Sequence, residues 1–469
     1  MHAPRYLVAL ATLVALARPC LAAESSTAAV EPARPANFVV IVADDLGFHS
    51  LGCYGNEQVI SPNIDRIANE GTRLTSFYVT WPACTPSRGS ILTGRYPQRN
   101  GLYDMIRNDM VNYGHKFDMQ EYSVSPEATI GMDTREVMIS VPLHEVGYTS
   151  AVVGKWDGGR ARRFLPLQRG FDFYYGFANT GIDYFTHERY GVPSMFRGNE
   201  LTTADRGAYA TELFEREALD FVRKNADRPF FLYLPFNAPH GASNLDKSVG
   251  VQADDASMAL YKDRHVTGKS VSYYAAITRM DQAVGKVLDL LDELKLADNT
   301  LVLFLSDNGG TGRAENTPLN GGKSSMFEGG VRVACLARLN GRIPAGGVCD
   351  EFLTSLEIYP TMLALAQAKP PSGVKLDGFD MLPVLEGKIP SGRKEMFWQR
   401  RDERAARVGN YKWFDSEDGT GLFDLSTDLG ETHDLSKERP DILKMVTDRF
   451  ATWRAEMDAA EPRGPFRDY

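Results

Sequence analysis

Short apolar runs, each closed by polar residues, recur along the chain. "NFVVIVA" (37–43) ends in Asp44-Asp45, and "TSAVVG" (149–154) ends in Lys155. "PFFLYLPF" (229–236) leads to Asn237 and His240, and "TLVLFLS" (300–306) ends in Asp307-Asn308. Continuous apolar runs of this length predict strands buried on both faces, as in a parallel sheet. The segments between them have helical spacing. In "SPNIDRIANEG" (61–71), Ser61 is placed as an N-cap, Pro62 opens the first turn and Gly71 follows the end. In "YYAAITRMDQAVGKVLDLLDELKL" (273–296), Ile277, Met280, Val284, Val287, Leu288 and Leu291 form one apolar stripe. Strands alternating with helices predict an open α/β sheet sandwiched by helices, with ligands beyond the carboxyl ends of its strands. The polar strand ends should therefore converge on one rim.

From about residue 385 the pattern changes to short aromatic-rich strands with Gly and Asp turns, then a helix over "DILKMVTDRFATWRAEMDA" (441–459). The expected organisation is a large domain over 37–385 and a smaller α+β subdomain over 386–469. At the other end, Arg5 precedes "YLVALATLVALA", and "PCLAAES" offers a small-residue cleavage site after Ala22. Residues 1–22 thus read as a secretory signal and 23–36 as a polar linker, so the protein is expected to be exported, to a periplasm or beyond. No later segment is long and apolar enough to predict a membrane span.

Losing Arg5 and Arg18 with the signal moves the formal charge from −9 to about −11. That disfavours a nucleic-acid partner and requires any polyanionic ligand to be held by a local basic pocket. Cys53, Cys84, Cys335 and Cys349 remain, too scattered for a disulfide framework. Cys335 and Cys349 are spaced to pair across a hairpin, which leaves Cys84 unexplained.

Asp44-Asp45 and Asp307-Asn308 are hard oxygen donors and suit Ca²⁺ or Mg²⁺ better than zinc. Singly, each pair would be a turn or a helix cap; two pairs ending buried strands of one sheet favour a metal. Lys155, His240 and Lys323 fall at or after other strand ends and loops. They would add positive charge and one titratable donor beside the metal, a setting for a bound anion. Lys323 lies in "NGGKSSMFEGG" (320–330), whose glycines let backbone approach a ligand.

Cys84 opens "CTPSR" (84–88), followed by "LTGR" (92–95). This resembles the signature of the formylglycine-dependent (type I) sulfatases. The resemblance spans nearly the whole mature chain, through "VADDLGF", "SPNIDRIANEGTRLTSFY", "GYTSAVVGKW", "FNAPHG", "SDNGG", "GGKSSMFEGGVRV" and "LFDLSTDLGETHDLS". It implies an alkaline phosphatase-like fold with a large mixed, mostly parallel sheet. It also implies that Cys84 is oxidised to Cα-formylglycine by a formylglycine-generating enzyme. The aldehyde's hydrate, held on Ca²⁺, would attack the sulfur of a sulfate ester, and its second hydroxyl would let sulfate leave. By the same resemblance Asp44, Asp45, Asp307, Asn308 and residue 84 hold one Ca²⁺ and Arg88 supports the diol. Lys155 and Lys323 grip sulfate, and His240 protonates the leaving alcohol. One position departs: after "GKW" the family commonly has a histidine, and this chain has Asp157. Asp157 either replaces that base or is a turn residue before Gly158-Gly159.

Substrate choice falls to two stretches without family counterparts. "GGRARRFLPLQRG" (158–170) carries Arg160, Arg162, Arg163 and Arg169; "NTGIDYFTHERYGVPSMF" (179–196) carries Asp183, Tyr184, His187 and Arg189. Arg160 and His187 are the substrate-binding candidates here, with a sulfated carbohydrate favoured over a small aryl sulfate. The rivals are a phosphodiester or phosphonate hydrolase of the same superfamily and a catalytically silent binder of sulfated glycans.

Overall fold

Ten strands form one sheet in the computed structural model. It describes residues 1–2, 34–106, 118, 130–264, 266 and 268–464; the expected signal segment from residue 3 on lies outside the described residues. Contacts divide the chain into Met1–Arg34 and Pro35–Tyr469, and the second unit carries every element that follows. In chain order the strands are β1 (Asn37–Ala43), β2 (Thr72–Leu74), β3 (Thr149–Lys155), β4 (Phe173–Phe177), β5 (Met195–Arg197), β6 (Glu200–Leu201), β7 (Phe230–Pro235), β8 (Thr300–Ser306), β9 (Cys335–Arg338) and β10 (Gly347–Cys349). They lie side by side as β10-β2-β9-β8-β1-β7-β3-β4-β5-β6. The central five, β8 to β4, are mutually parallel, and antiparallel pairs flank them.

The apolar runs are buried on both faces, as their composition requires. Val39, Ile41 and Ala43 of β1 face one core, and Phe38, Val40 and Val42 face the other. The first core is covered by helices α1 (Pro62–Asn69), α3 (Ala210–Lys224) and α4 (Gly268–Glu293); all six stripe residues of α4, from Ile277 to Leu291, are buried in it. The second is covered by α2 (Cys84–Thr93) and α5 (Ile358–Ala366). Beyond them, β11 (Glu395–Arg400), β12 (Glu403–Val408), β13 (Tyr411–Ser416) and β14 (Gly419–Asp424) make an antiparallel meander, followed by α6 (Pro440–Ala459). This smaller α+β layer shares a core with Tyr78, Tyr96, Met326 and Phe352. Among the described residues no helix is long and apolar enough to cross a membrane.

Two local expectations are corrected. Ser61 stands at the start of α1 but its hydroxyl makes no cap; it accepts the Gly52 N–H at 2.9 Å. The cap comes from tertiary structure: the Asp281 carboxylate of α4 accepts the Asn63 and Ile64 N–H groups at 2.8 and 2.7 Å. Cys335 and Cys349 do not pair, and all four described cysteines are free. Both lie opposite Leu74, on strands that flank β2 from opposite sides. Two strand spacings put them roughly 9–10 Å apart, too far for a disulfide.

Replacing Asp281 with alanine strands two buried N–H donors at the start of α1. The expected cost is about 1–2 kcal/mol, read from the denaturation midpoint.

Candidate active site

Four neighbouring parallel strands deliver the polar residues. Because β8, β1, β7 and β3 are adjacent and in register, with Ala43 opposite Ser306 and Val42 opposite Pro235, their carboxyl ends lie on one rim. Asp307-Asn308 follows β8, Asp44-Asp45 follows β1, His240 follows β7, and Lys155 ends β3. Helix α2, buried along its whole length, brings Cys84 and Arg88 from one side. The loop after β8 brings Lys323. Asp45, Asp157 and Ser324, the neighbour of Lys323, all sit in the left-handed region with φ of 64°, 56° and 71°. Each such residue costs about 1–3 kcal/mol and is kept only where surrounding structure fixes it.

The charges interlock. Lys155 Nζ is 2.7 Å from Asp44 Oδ2 and 3.6 Å from Asp157 Oδ2. Arg88 binds Asp307 Oδ2 through Nε and Nη2, at 2.8 and 2.7 Å. Lys323 Nζ is 2.7 Å from Asp45 Oδ1, to which Asn308 Nδ2 also donates at 2.9 Å. His240 Nδ1 is 2.6 Å from the Gly241 carbonyl, so Nδ1 carries the hydrogen; Nε2 faces Asp45 Oδ2 at 3.7 Å. Burial would raise Asp45, but Lys323 and His240 hold it below the usual carboxylate range. Burial prevails at Asp44 and Asp307 despite Lys155 and Arg88: both are raised, Asp307 to about 6. His240 is pushed down to about 4, by burial first and then by the two lysines against the pull of Asp45.

Among the described residues, four buried carboxylates thus face three cations, leaving a negative excess. A divalent cation fits that excess. Asp44 Oδ1 and Asn308 Oδ1 are buried without a hydrogen-bond partner among the described residues. Ligand atoms of Asp44, Cys84 and Asp307 lie within 4.8 Å of one another, as do those of Asp44, Asp45 and His240. The donors are mainly hard oxygens, which suit calcium or magnesium.

Cys84 is 1% exposed, with Met105 Sδ 3.9 Å from its Sγ. Burial pushes its thiol up to about 12, outweighing the Lys155 ammonium. A thiol so held is protonated near neutrality and is a poor nucleophile as cysteine. Asp157 is buried, and neither carboxylate oxygen has a hydrogen-bond partner.

The substrate candidates are engaged in the loops that carry them. His187 is 3% exposed and its Nε2–H donates to the Ala208 carbonyl at 2.8 Å. Arg160 Nη2 donates to the Pro193 carbonyl at 3.1 Å. Arg169 donates to the carbonyls of Met132, Asp133 and Glu136. Asp183 accepts from Phe185, Thr186, Asn244 and Gln252 and organises its own loop. Sequence alone gave no role to the β11–β12 turn. There Arg400 Nη1 donates to the Ser324 carbonyl at 2.7 Å, and Arg401 Nε to Asp104 Oδ2 at 2.9 Å. The only hint was the charge run "RRDER" (400–404) after the aromatic "MFWQ".

An alkaline phosphatase-like sheet with buried carboxylates and a ring of lysine, arginine and histidine at its strand ends defines a hydrolase for anionic esters. The sulfatase family model matches residues 36–368. N-acetylgalactosamine-6-sulfatase of Canis lupus familiaris is 34% identical over 403 residues, covering 81% of this chain and 71% of that protein. Arylsulfatase A of Homo sapiens is 31% identical, covering 92% and 90%. The crystal structure of Ps i-CgsB superposes with a TM-score of 0.80 at 31% identity, covering 90% of this chain and 93% of that one; the same protein has been solved in complex with k-i-k-neocarrahexaose. The chain belongs to the sulfatase family and is a sulfuric ester hydrolase.

In the unprocessed protein, Cys84 should resist iodoacetamide at pH 8. From its thiolate fraction alone, labelling should be on the order of a thousandfold slower than in the urea-unfolded chain, followed by mass spectrometry of the peptide.

Proposed function

We propose that the protein removes sulfate from a sulfated carbohydrate, using a formylglycine made from Cys84 and one bound Ca²⁺. The observation that carries this is the meeting of Cys84 with Asp44 and Asp307, ligand atoms within 4.8 Å, at the first residue of a buried helix. Asp44, Asp45, Asp307, Asn308 and residue 84 would hold the ion. Together the ion and the hydrated aldehyde supply an activated oxygen nucleophile for ester sulfur.

The chain's own residues do the rest. Lys155 and Lys323 present ammonium groups to the sulfate oxygens, stabilising charge that shifts onto them as the ester bond breaks. Arg88 keeps Asp307 ionised and in place. His240 is held by Nδ1–H on the Gly241 carbonyl, so Nε2 is its free nitrogen. An arriving sulfate ester adds negative charge, favours a proton on Nε2, and lets it pass to the departing alcohol. Asp157 takes the place of the family's histidine as base. It is buried, lacks a hydrogen-bond partner and is 3.6 Å from Lys155, whose ammonium offsets its charge. A carbohydrate substrate is supported by the relatives, one named for a sulfated sugar and one solved with an oligosaccharide. The N-terminal segment supports export, so maturation by a formylglycine-generating enzyme would precede or accompany it.

Protein co-expressed with such an enzyme should lose the sulfur of Cys84 by peptide mass. It should also release inorganic sulfate from sulfated sugars faster than phosphate from an aryl phosphate. Sulfate release from no ester offered would refute the proposal. Chelation should lower the melting temperature by several degrees, and Ca²⁺ should restore it, as expected for an ion bound only by the native state. Asp157→Ala should lower kcat by about 10²–10⁴-fold, with Asp157→His recovering part of the rate. Full turnover by Asp157→Ala would return Asp157 to a turn residue.

A further inference from the structure

We propose that Arg313 is a specificity residue that grips a second anionic group of the substrate, a sulfate or a carboxylate, on the leaving-alcohol side of the site. The inference rests on the sulfated-carbohydrate reading above and deepens it.

Arg313 lies in the exposed loop after Asp307-Asn308, and among the described residues it makes no hydrogen bond, ion pair or ring contact. Of the arginines that sequence favoured, Arg160 and Arg169 donate to backbone carbonyls and Arg163 stacks on Phe164, while Arg162 is exposed. Arg313 has a seat all the same. Its Nη1 lies 2.7 Å from where a Cβ on Gly250 would stand, and its Cζ and Nη2 lie 3.1 and 3.3 Å from that point. Nη1 is also 3.9 Å from the corresponding point on Gly241, the residue after His240. The guanidinium therefore lies along the loop that leaves His240 and is closed by the Ala242 N–H on the Gly250 carbonyl at 2.9 Å. Its own loop starts at Gly310, whose carbonyl accepts the Lys323 N–H at 3.0 Å. The arginine thus lies beside the residue that follows the proposed proton donor, on a loop whose base is bonded to the segment bearing a proposed sulfate-binding lysine.

The chemistry of that position selects the ligand. The chain carries a formal charge of −9, so a polyanion needs local cations to approach. The lysines at the reaction centre are committed to Asp44 and Asp45. An unpaired guanidinium outside that centre offers a planar fork, which matches the oxygens of a carboxylate or sulfate. Its place next to His240, which faces the departing alcohol, puts that second anion on the sugar being released.

The test compares mature protein on three disaccharides: one neutral apart from a single sulfate, one with a second sulfate, and one with a uronate. The wild type should favour one or both doubly anionic forms in kcat/KM, and which one identifies the group bound. Arg313→Gln should reduce that preference about tenfold, with Arg313→Lys intermediate. Gly250→Ala, which places a methyl 2.7 Å from where Nη1 now lies and so displaces the guanidinium, should reduce it as well, without touching the charge. An unchanged preference in Arg313→Gln would overturn the inference. So would a wild type that hydrolyses all three alike, and in either case the sulfatase reading would survive. Failure to release sulfate from any of the three and from every other ester offered would overturn that reading and this inference with it.

Discussion

Carboxylates gathered at the mouth of a parallel sheet repel one another, and burial sharpens the repulsion. Asp44, Asp45, Asp157 and Asp307 are each at most 3% exposed. Fully buried acids of this kind persist only if paired or bound to metal. Most of the local architecture answers that demand. Lys155 reaches Asp44 from its own strand end, Arg88 reaches Asp307 from α2, and Lys323 reaches Asp45 from a loop. Two of these cations, Lys155 and Lys323, are the ones proposed above to receive the substrate.

The C-terminal layer makes this arrangement rigid. Trp398 donates its indole N–H to the Val79 carbonyl, and Trp81 donates to the Gln399 carbonyl, tying β11 to the segment leading into Cys84. Arg400 holds the carbonyl of Ser324, whose N–H is in turn bound to Pro82. Deeper in the same seam, Lys412 sits between Glu328 and Glu431 at 3.0 and 2.8 Å, and Glu431 accepts the Glu328 N–H. A loop with a positive-φ serine beside its lysine would drift if left to itself. Anchored on both sides, it keeps Lys323 aimed at Asp45. The smaller layer therefore belongs to the functional apparatus through its backbone contacts, even though it supplies none of the proposed reacting groups.

Asp157 shows how one substitution shifts a balance of charges. A neutral histidine there would leave the acids and cations of the cluster equal. The aspartate adds one negative charge, buried and without a hydrogen bond, against an ammonium 3.6 Å away. A bound dication would bring the sum to positive, which is the sign an anionic ester requires.

The strand runs, the amphipathic stripe of α4 and the change of texture near residue 385 were all legible in the chain, because burial on two faces, on one face or in a meander writes a different period. The polar pairs at strand ends were legible too: a parallel sheet sends successive carboxyl ends to one edge, so Asp44, His240, Lys155 and Asp307 were bound to meet if the strands were right. What the sequence could not hold was whatever depends on neighbours far along the chain. Ser61 has the chemistry of a cap, yet Asp281, 220 positions away, fills that role because α4 packs across the start of α1. Cys335 and Cys349 look like a pair until β2 comes between them. Arg160 and Arg169 after Lys155 have the composition of an anion grip but donate to backbone, while Arg313, in no recognisable motif, lies near Gly241, the residue after His240. Periodicity is set by each residue's nearest environment and survives in one dimension; the pairing of side chains across loops is set by packing and exists only in three.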